Sequence, residues 1–93
     1  MSPKNKKKLE KVRKKLDRLD NAFLRLIKIR TDLVNKVIKL KEFKGEIVDT
    51  KRIKKILFNI RRKSLKKKID STVTNKIWKN MIFTYIKHEK KKL

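Results

Sequence analysis

A single arginine interrupts a regular apolar pattern in the first half of the chain. The apolar residues follow one another at intervals that alternate between three and four: Leu9, Val12, Leu16, Leu19, Phe23, Leu26, Leu33, Val37 and Leu40. Arg30 stands between Leu26 and Leu33, where this seam of a helix requires another apolar side chain. Because burying an unpaired guanidinium is costly, Arg30 must bind an anion, form a structural ion pair or extend its charged end to the surface.

Two more cations lie beside the seam at related spacings. Arg13 and Lys41 fall on one stripe of residues spaced by sevens, and Lys41 follows Arg30 by eleven residues, or three helical turns. Long cationic side chains about 16 Å apart along one helix can bend inward around a small molecule. The spacing therefore favours a ligand with more than one carboxylate, although a lone lysine at such a position is often simply solvated.

Two further charged residues lie near the ends of predicted helices, at positions where helix formation does not require a charge. Glu89 follows Trp78, Ile82 and Tyr85 at helical spacing, so a carboxyl continues an apolar stripe. The simpler interpretation is that Glu89 forms ion pairs with the lysines around it. Arg52 lies at the start of a predicted helix, where backbone amides and a guanidinium together can hold an anion.

The composition narrows the possible chemistry. The chain has 93 residues with no Cys and one His, so it offers no thiol nucleophile, and a metal site or a catalytic triad built on His88 is not expected. We predict no metal and no cofactor. No apolar run approaches the roughly 20 residues that cross a bilayer, and residues 1–8 lack a secretory signal. We therefore expect a cytoplasmic protein with no membrane partner.

The charge of the chain is +23, with 32 Lys and Arg against nine Asp and Glu. Such a charge is typical of nucleic-acid-binding proteins. An AT-biased genome would produce the same excess of Lys, Ile and Asn without any functional reason. A basic surface would also attract a small anionic substrate to its site.

The positions of proline and glycine in the chain predict an all-helical fold. Pro3 precedes the first long uninterrupted stretch and Gly45 follows it, so we expect a helix from about Lys6 to Phe43, roughly 55 Å long. That length exceeds the diameter of a compact chain of this size. We expect a single domain over residues 1–93, with frayed basic ends at 1–8 and 90–93, in a homodimer whose long first helices pack together.

Two shorter helices should follow the first. Asp49 or Thr50 can cap a second helix that ends near Lys67, and a third should begin at a cap formed by Asp70, Ser71 or Thr72 and run to about Lys90. The predicted buried side of the second helix consists of Ile53, Ile56, Leu57, Ile60 and either Ser64 or Leu65. That of the third consists of Val73, Ile77, Trp78, Met81, Ile82, Tyr85 and Ile86.

These residues together resemble the small all-helical chorismate mutases. The similarity rests on Arg13-Lys-Lys-Leu16-Asp17-Arg-Leu19-Asp20, then Arg30, then Lys41, then Ile47-Val48-Asp49-Thr-Lys-Arg52, and it extends from about Lys11 to Glu89. The resemblance implies a three-helix protomer, an intertwined dimer with two sites, and the pericyclic rearrangement of chorismate to prephenate. Such a rearrangement needs no nucleophile, metal or cofactor.

The resemblance also implies a role for each site residue. Arg13 of one subunit would bind a substrate carboxylate in the site of the other, and Arg30 would hold a carboxylate within its own subunit. Lys41 would bridge a carboxylate and the ether oxygen. Arg52 would support the anion at the mouth of the site, and the backbone near Asp49 would meet the ring hydroxyl.

Three features depart from the pattern of the family. Ile53 stands where many members have a glutamate that contacts the ring hydroxyl, and the loop between Lys41 and Arg52 is one residue shorter than in many mutases. Glu89 stands where bacterial mutases often have a glutamine that donates a hydrogen bond to the ether oxygen. Because a carboxylate cannot donate, Glu89 must be protonated to act, a known variation in the family, and we expect activity to fall as pH rises.

Other functions remain open at this point. Isochorismate-pyruvate lyases resemble this chain in having an apolar residue after the corresponding arginine, a loop of this length and an aromatic residue at the position of Tyr85. A helical nucleic-acid-binding protein would explain the charge but not Arg30 within an apolar seam, so we do not expect nucleic acid as the principal partner. A catalytically inactive regulator on the same scaffold would account for Ile53 and Glu89.

Overall fold

The computed structural model describes residues 1–42 and 48–92 and forms three helices, with no strand among those residues. They are α1 (Pro3–Lys39), α2 (Thr50–Lys66) and α3 (Ser71–Lys92). The chain divides into two compact units, Met1–Val37 and Ile38–Leu93. The all-helical fold and the three-helix protomer predicted from the sequence are therefore confirmed.

Helix α1 begins at a proline and is capped by the serine before it. Ser2 Oγ accepts a hydrogen bond from the backbone N–H of Asn5 at 3.2 Å, and the Ser2 carbonyl accepts one from Lys6 at 2.9 Å. Pro3 suits the first helical position because its fixed φ is that of a helix and its missing N–H would have no partner there. These contacts start the helix three residues earlier than the predicted Lys6.

The end of α1 differs from the prediction. The helix stops at Lys39, and the N–H of Lys41 then bonds to the carbonyl of Ile38 at 3.0 Å, a tighter turn than that of an α-helix. Leu40, the last residue of the predicted seam, lies beyond the helix with 84% of its surface exposed. The predicted end at Phe43 and the break around Gly45 lie outside the described residues.

The predicted start of α2 is confirmed. Asp49 caps the helix with extended backbone angles, and its Oδ1 accepts a hydrogen bond from the backbone N–H of Arg52 at 3.0 Å.

Helix α2 ends in a turn that the sequence did not indicate. The N–H of Ile69 bonds to the carbonyl of Ser64 at 2.9 Å, and that of Lys68 bonds to Leu65 at 3.2 Å. This pair of bonds is a Schellman motif, which places Lys68 in the left-handed region with φ of 58°. A glycine usually occupies this position because a Cβ is disfavoured there.

Helix α3 begins at Asp70, one of the three predicted caps. Asp70 Oδ1 accepts hydrogen bonds from the hydroxyl of Thr72 at 2.6 Å and from the backbone N–H of Thr72 at 2.9 Å. The hydroxyl and then the backbone N–H of Thr72 lower the pKa of the Asp70 carboxyl below its ordinary value, because both bonds favour the ionised form.

Helices α2 and α3 pack against each other as an antiparallel hairpin joined by residues 67–70. A polar contact fixes their register near the turn, where the hydroxyls of Ser64 and Thr74 lie 2.7 Å apart. Ser64 is buried, and its hydroxyl also donates to the carbonyl of Ile60 at 2.6 Å, while the hydroxyl of Thr74 lies 3.3 Å from the carbonyl of Ser71.

The inner faces of the hairpin largely follow the prediction. Most of the predicted apolar positions are buried or half-buried, namely Ile53, Ile56, Leu57, Ile60, Trp78, Met81, Ile82, Tyr85 and Ile86. The exceptions are Leu65, Val73 and Ile77, each more than half exposed. All three lie within two turns of the connecting loop, and Ser64 rather than Leu65 faces inward there.

Candidate active site

Six of the eight predicted site residues belong to one compact unit, Ile38–Leu93: Lys41, Asp49, Arg52, Ile53, Tyr85 and Glu89. The register of the hairpin relates five of them. Glu89 follows Thr74 by fifteen residues and Asp49 precedes Ser64 by fifteen, so both lie about 22 Å from the Ser64–Thr74 contact. The first turn of α2 and the last turns of α3 therefore meet at the end of the hairpin away from its loop.

The first turn of α2 brings cationic and amide groups to this end. The side chain of Arg52 is exposed, and its backbone N–H already caps on Asp49. Ile53 is half-buried beside it. No acidic residue lies in the first turn of α2, so the positive end of the helix dipole reinforces the charge of Arg52. This arrangement can attract a carboxylate.

Helix α3 contributes one aromatic residue and one carboxyl to the same end of the hairpin. Tyr85 is half-buried and interacts with another group of the protein. Glu89 is one turn further along and only 7% of its surface is exposed. Such burial is unusual for a glutamate in a chain with 32 Lys and Arg, because a glutamate that only balances surface lysines stays in water. The burial therefore favours a specific role for Glu89 over that of a surface salt partner.

Lys41 lies just after α1, in the same unit as the hairpin. It is half-buried and interacts with another group of the protein. Partial burial fits a lysine in a site, and it fits equally a lysine that buries its aliphatic stem and keeps its ammonium in water.

The two remaining predicted site residues lie on α1, in the unit Met1–Val37. Arg13 is exposed. Arg30 is half-buried and interacts with another group of the protein, whereas its seam neighbours Leu26 and Leu33 are both more than half exposed. Arg30 is thus more enclosed than the apolar residues on either side of it.

Another concave surface on α1 does not coincide with any predicted site residue. This shallow, open groove is lined by Asn21, Leu24, Arg25, Lys28 and Ile29, all of one helix. Of its two cations, Lys28 is already paired with Asp32 at 2.8 Å.

No group of three or more His, Cys, Asp or Glu is placed to hold a metal ion in residues 1–42 and 48–92. No helix within these ranges has the length and hydropathy needed to cross a bilayer.

The sequence matches the family model of chorismate mutase type II over residues 12–90. The chain belongs to the chorismate mutase type II family. The match begins one residue before Arg13 and ends one residue after Glu89, so it includes every predicted site residue. Membership in this family supports an enzymatic function, that of a chorismate mutase. The comparison with curated proteins gave no match, and the comparison with solved structures gave none either.

Sequence reasoning named Ser64 as a candidate for the buried side of α2 but gave it no polar role, and it did not single out Thr74. Ser64 and Thr74 set the register of the hairpin, and through it the height of Glu89 relative to Arg52. The sequence signal for the role of Ser64 is a serine on the apolar side of α2, four residues after Ile60. A small hydroxyl at an apolar position often bonds to the carbonyl four residues earlier, as Ser64 does.

Proposed function

We propose that this chain converts chorismate to prephenate and thereby serves the biosynthesis of aromatic amino acids. The proposal rests on one observation above all, that the match to the chorismate mutase family extends over residues 12–90 and includes all eight predicted site residues. The half-buried positions of Arg30 and Lys41 and the burial of Glu89 support the view that these side chains line a site.

The proposed roles of the cations follow from the two carboxylates of chorismate. Arg30 holds one carboxylate within its own subunit, and Arg13 of the partner subunit binds the other. Lys41 bridges a carboxylate and the ether oxygen. Arg52 supports the anion at the mouth of the site, where the first turn of α2 adds its dipole.

The remaining residues shape the part of the site around the ring. The backbone near Asp49 meets the ring hydroxyl, and Ile53 provides an apolar wall where other mutases have a glutamate. Tyr85 packs against the substrate from α3. The loss of a carboxylate at position 53 leaves the ring hydroxyl to the backbone and to water.

The reaction breaks one carbon–oxygen bond and forms one carbon–carbon bond within the same molecule, so no proton or electron enters or leaves. The protein has two tasks: it holds the substrate in the folded conformer that reacts, and it stabilises the negative charge that develops on the ether oxygen. Lys41 and a protonated Glu89 are the proposed donors to that oxygen.

We also propose a homodimer. The apolar seam of α1 is exposed from Val12 to Val37 in the single chain, with Phe23 at 60%. An apolar surface of this extent is typical of a protein interface. A second copy of the same helix, packed by its own seam, would cover it and would bring Arg13 to the site of its partner.

The test is an assay of purified protein for loss of chorismate and gain of prephenate, beside a parallel assay for release of pyruvate from isochorismate. Prephenate formation supports the proposal, and pyruvate release without it would move the assignment to a lyase. Arg30→Ala should lower kcat about a hundredfold or more while the protein stays folded. Arg25→Ala, which removes an exposed arginine of the same helix, is the matched control.

A cellular test addresses the pathway and the location. The gene should restore growth without phenylalanine and tyrosine to a strain that lacks chorismate mutase, and the Arg30→Ala variant should not. The cytoplasmic location predicted from the sequence is part of this proposal, and cell fractionation tests it.

A further inference from the structure

The solvent-facing side of α2 has an unusual composition. We define the α2 outer face as the residues within about 60° of Phe58 around the helix axis, all of them exposed: Lys51, Lys54, Lys55, Phe58, Arg61, Arg62 and Leu65. Phe58 is 66% exposed and Leu65 is 61% exposed, although the opposite side of the same helix already packs on α3. Five cations thus frame two apolar side chains that the fold leaves in water.

Nothing on this helix balances the charge. Between Lys51 and Lys68 the sequence has ten Lys and Arg and no Asp or Glu. Mutual repulsion of these charges destabilises the folded chain, so the surface is suited to a binding partner that supplies negative charge.

Helix α3 repeats the arrangement independently. Phe83 is 53% exposed and shares its side of the helix with Lys76, Lys79, Lys87 and Lys90, all exposed. The one carboxyl of α3, that of Glu89, is buried and adds no negative charge to this surface. An aromatic ring among cations at helical spacing therefore occurs on both helices of the hairpin.

We infer that the α2 outer face binds single-stranded nucleic acid, with Phe58 stacking on a base and Arg61 and Arg62 contacting phosphates. A second copy of this chain would place like charges opposite each other. A lipid surface requires a broad apolar sector, but the broad apolar sector of α2 faces α3.

A nucleic acid strand complements both the cations and the exposed aromatic ring of the α2 outer face. The α2 outer face extends about 21 Å from Lys51 to Leu65, over which a strand offers several phosphates. A duplex would occupy the cations but would hide the faces of its bases, whereas a single strand exposes them for stacking on an aromatic ring. Arg52 lies away from this face and remains with the site, so this inference does not rest on the proposed mutase function.

The first test measures affinity for a labelled oligothymidylate of about 20 nucleotides with the full chain. Phe58→Ala should weaken binding about fivefold or more, and Phe58→Trp should retain it, because stacking needs an aromatic ring rather than an apolar group. Mutase activity and the helical signal in circular dichroism should stay unchanged in both variants, since Phe58 has no place in the site. Unchanged affinity in Phe58→Ala would overturn the inference.

The second test separates this face from general attraction by a basic protein. Arg61→Gln/Arg62→Gln should reduce the slope of log affinity against log salt by about 1.4, the value for two phosphate contacts on a single strand. The control Lys14→Gln/Lys15→Gln removes the same charge from an adjacent exposed pair on α1. Equal losses in the two variants would show that net charge alone is responsible.

Three further outcomes would contradict the inference by naming a different occupant. Tighter binding to a duplex of the same length would exclude stacking on bases. Binding to phosphatidylserine vesicles without binding to the oligonucleotide would assign the face to lipid. Dissociation of a dimer in Phe58→Ala, measured by sedimentation, would make the face an interface between copies of the chain.

Discussion

Glu89→Gln provides the sharpest test of the proposed mechanism. If the carboxyl donates a hydrogen bond to the ether oxygen, only its protonated form is active, so the rate should fall as pH rises. The amide of glutamine donates at every pH and has nearly the same volume, so a site that leaves Glu89 only 7% exposed can accommodate it without a cavity. The variant should be active with a flat pH profile.

The size of the effect follows from the loss of one donor. The fall should end at a floor about a hundredfold to a thousandfold below the low-pH rate, which is the usual effect of removing one hydrogen bond to a developing oxyanion. The assay is prephenate formation at saturating chorismate from about pH 5 to 9.

The control is Glu10→Gln, which makes the same change at an exposed glutamate on α1. It should keep the pH dependence of the unmodified enzyme, because Glu10 is exposed and has no proposed part in the donation to the ether oxygen. A rate of the unmodified enzyme that does not change over this pH range would refute the reasoning. So would a Glu89→Gln variant that keeps the original slope.

Three further predictions follow from the described geometry. Lys68→Gly should raise the free energy of unfolding by about 1 kcal/mol, because Lys68 has φ of 58° where a Cβ is disfavoured; an unchanged or lower Tm would contradict this. Asp70→Ala should lower the Tm at pH 7 through loss of the bonds from Thr72. The lowered pKa of Asp70 means that this stabilisation is complete above its ordinary pKa of about 4 and is lost as pH falls through the lowered value, so the Tm difference should shrink in acid; a difference that grows in acid would exclude this linkage. Phe23→Asp should convert the dimer to monomers in sedimentation and abolish mutase activity, whereas active monomers would disprove that Arg13 acts across subunits.

The starts of the helices were predictable because they depend on neighbours in the chain. Asp49 and Asp70 cap α2 and α3 by bonding to backbone or hydroxyl groups no more than three residues away. A cap of this kind needs only an acceptor side chain and a run of helix-forming residues after it. For the first helix, the same local logic placed Pro3 before the start and predicted Lys6, three residues after the observed start at Pro3.

The ends of the helices were less predictable. The apolar periodicity predicted that the first helix extends to Phe43. The helix instead ends at Lys39, where the N–H of Lys41 bonds to the carbonyl of Ile38 in a tighter turn. At the end of α2, Lys68 adopts a conformation that its side chain disfavours, because the carbonyls of Ser64 and Leu65 gain partners through it. Residue preferences alone would have placed a glycine there.

The family could be recognised from the sequence because charged groups at fixed spacings, such as Arg30 within an apolar seam, are visible in the residues themselves. Two features were decided only by the tertiary structure. Ser64 rather than Leu65 faces inward, and Glu89 is buried, although its apolar stripe and the lysines around it indicated opposite environments. Burial depends on which side of each helix its neighbour covers, and the contact between Ser64 and Thr74 sets that choice for α2 and α3.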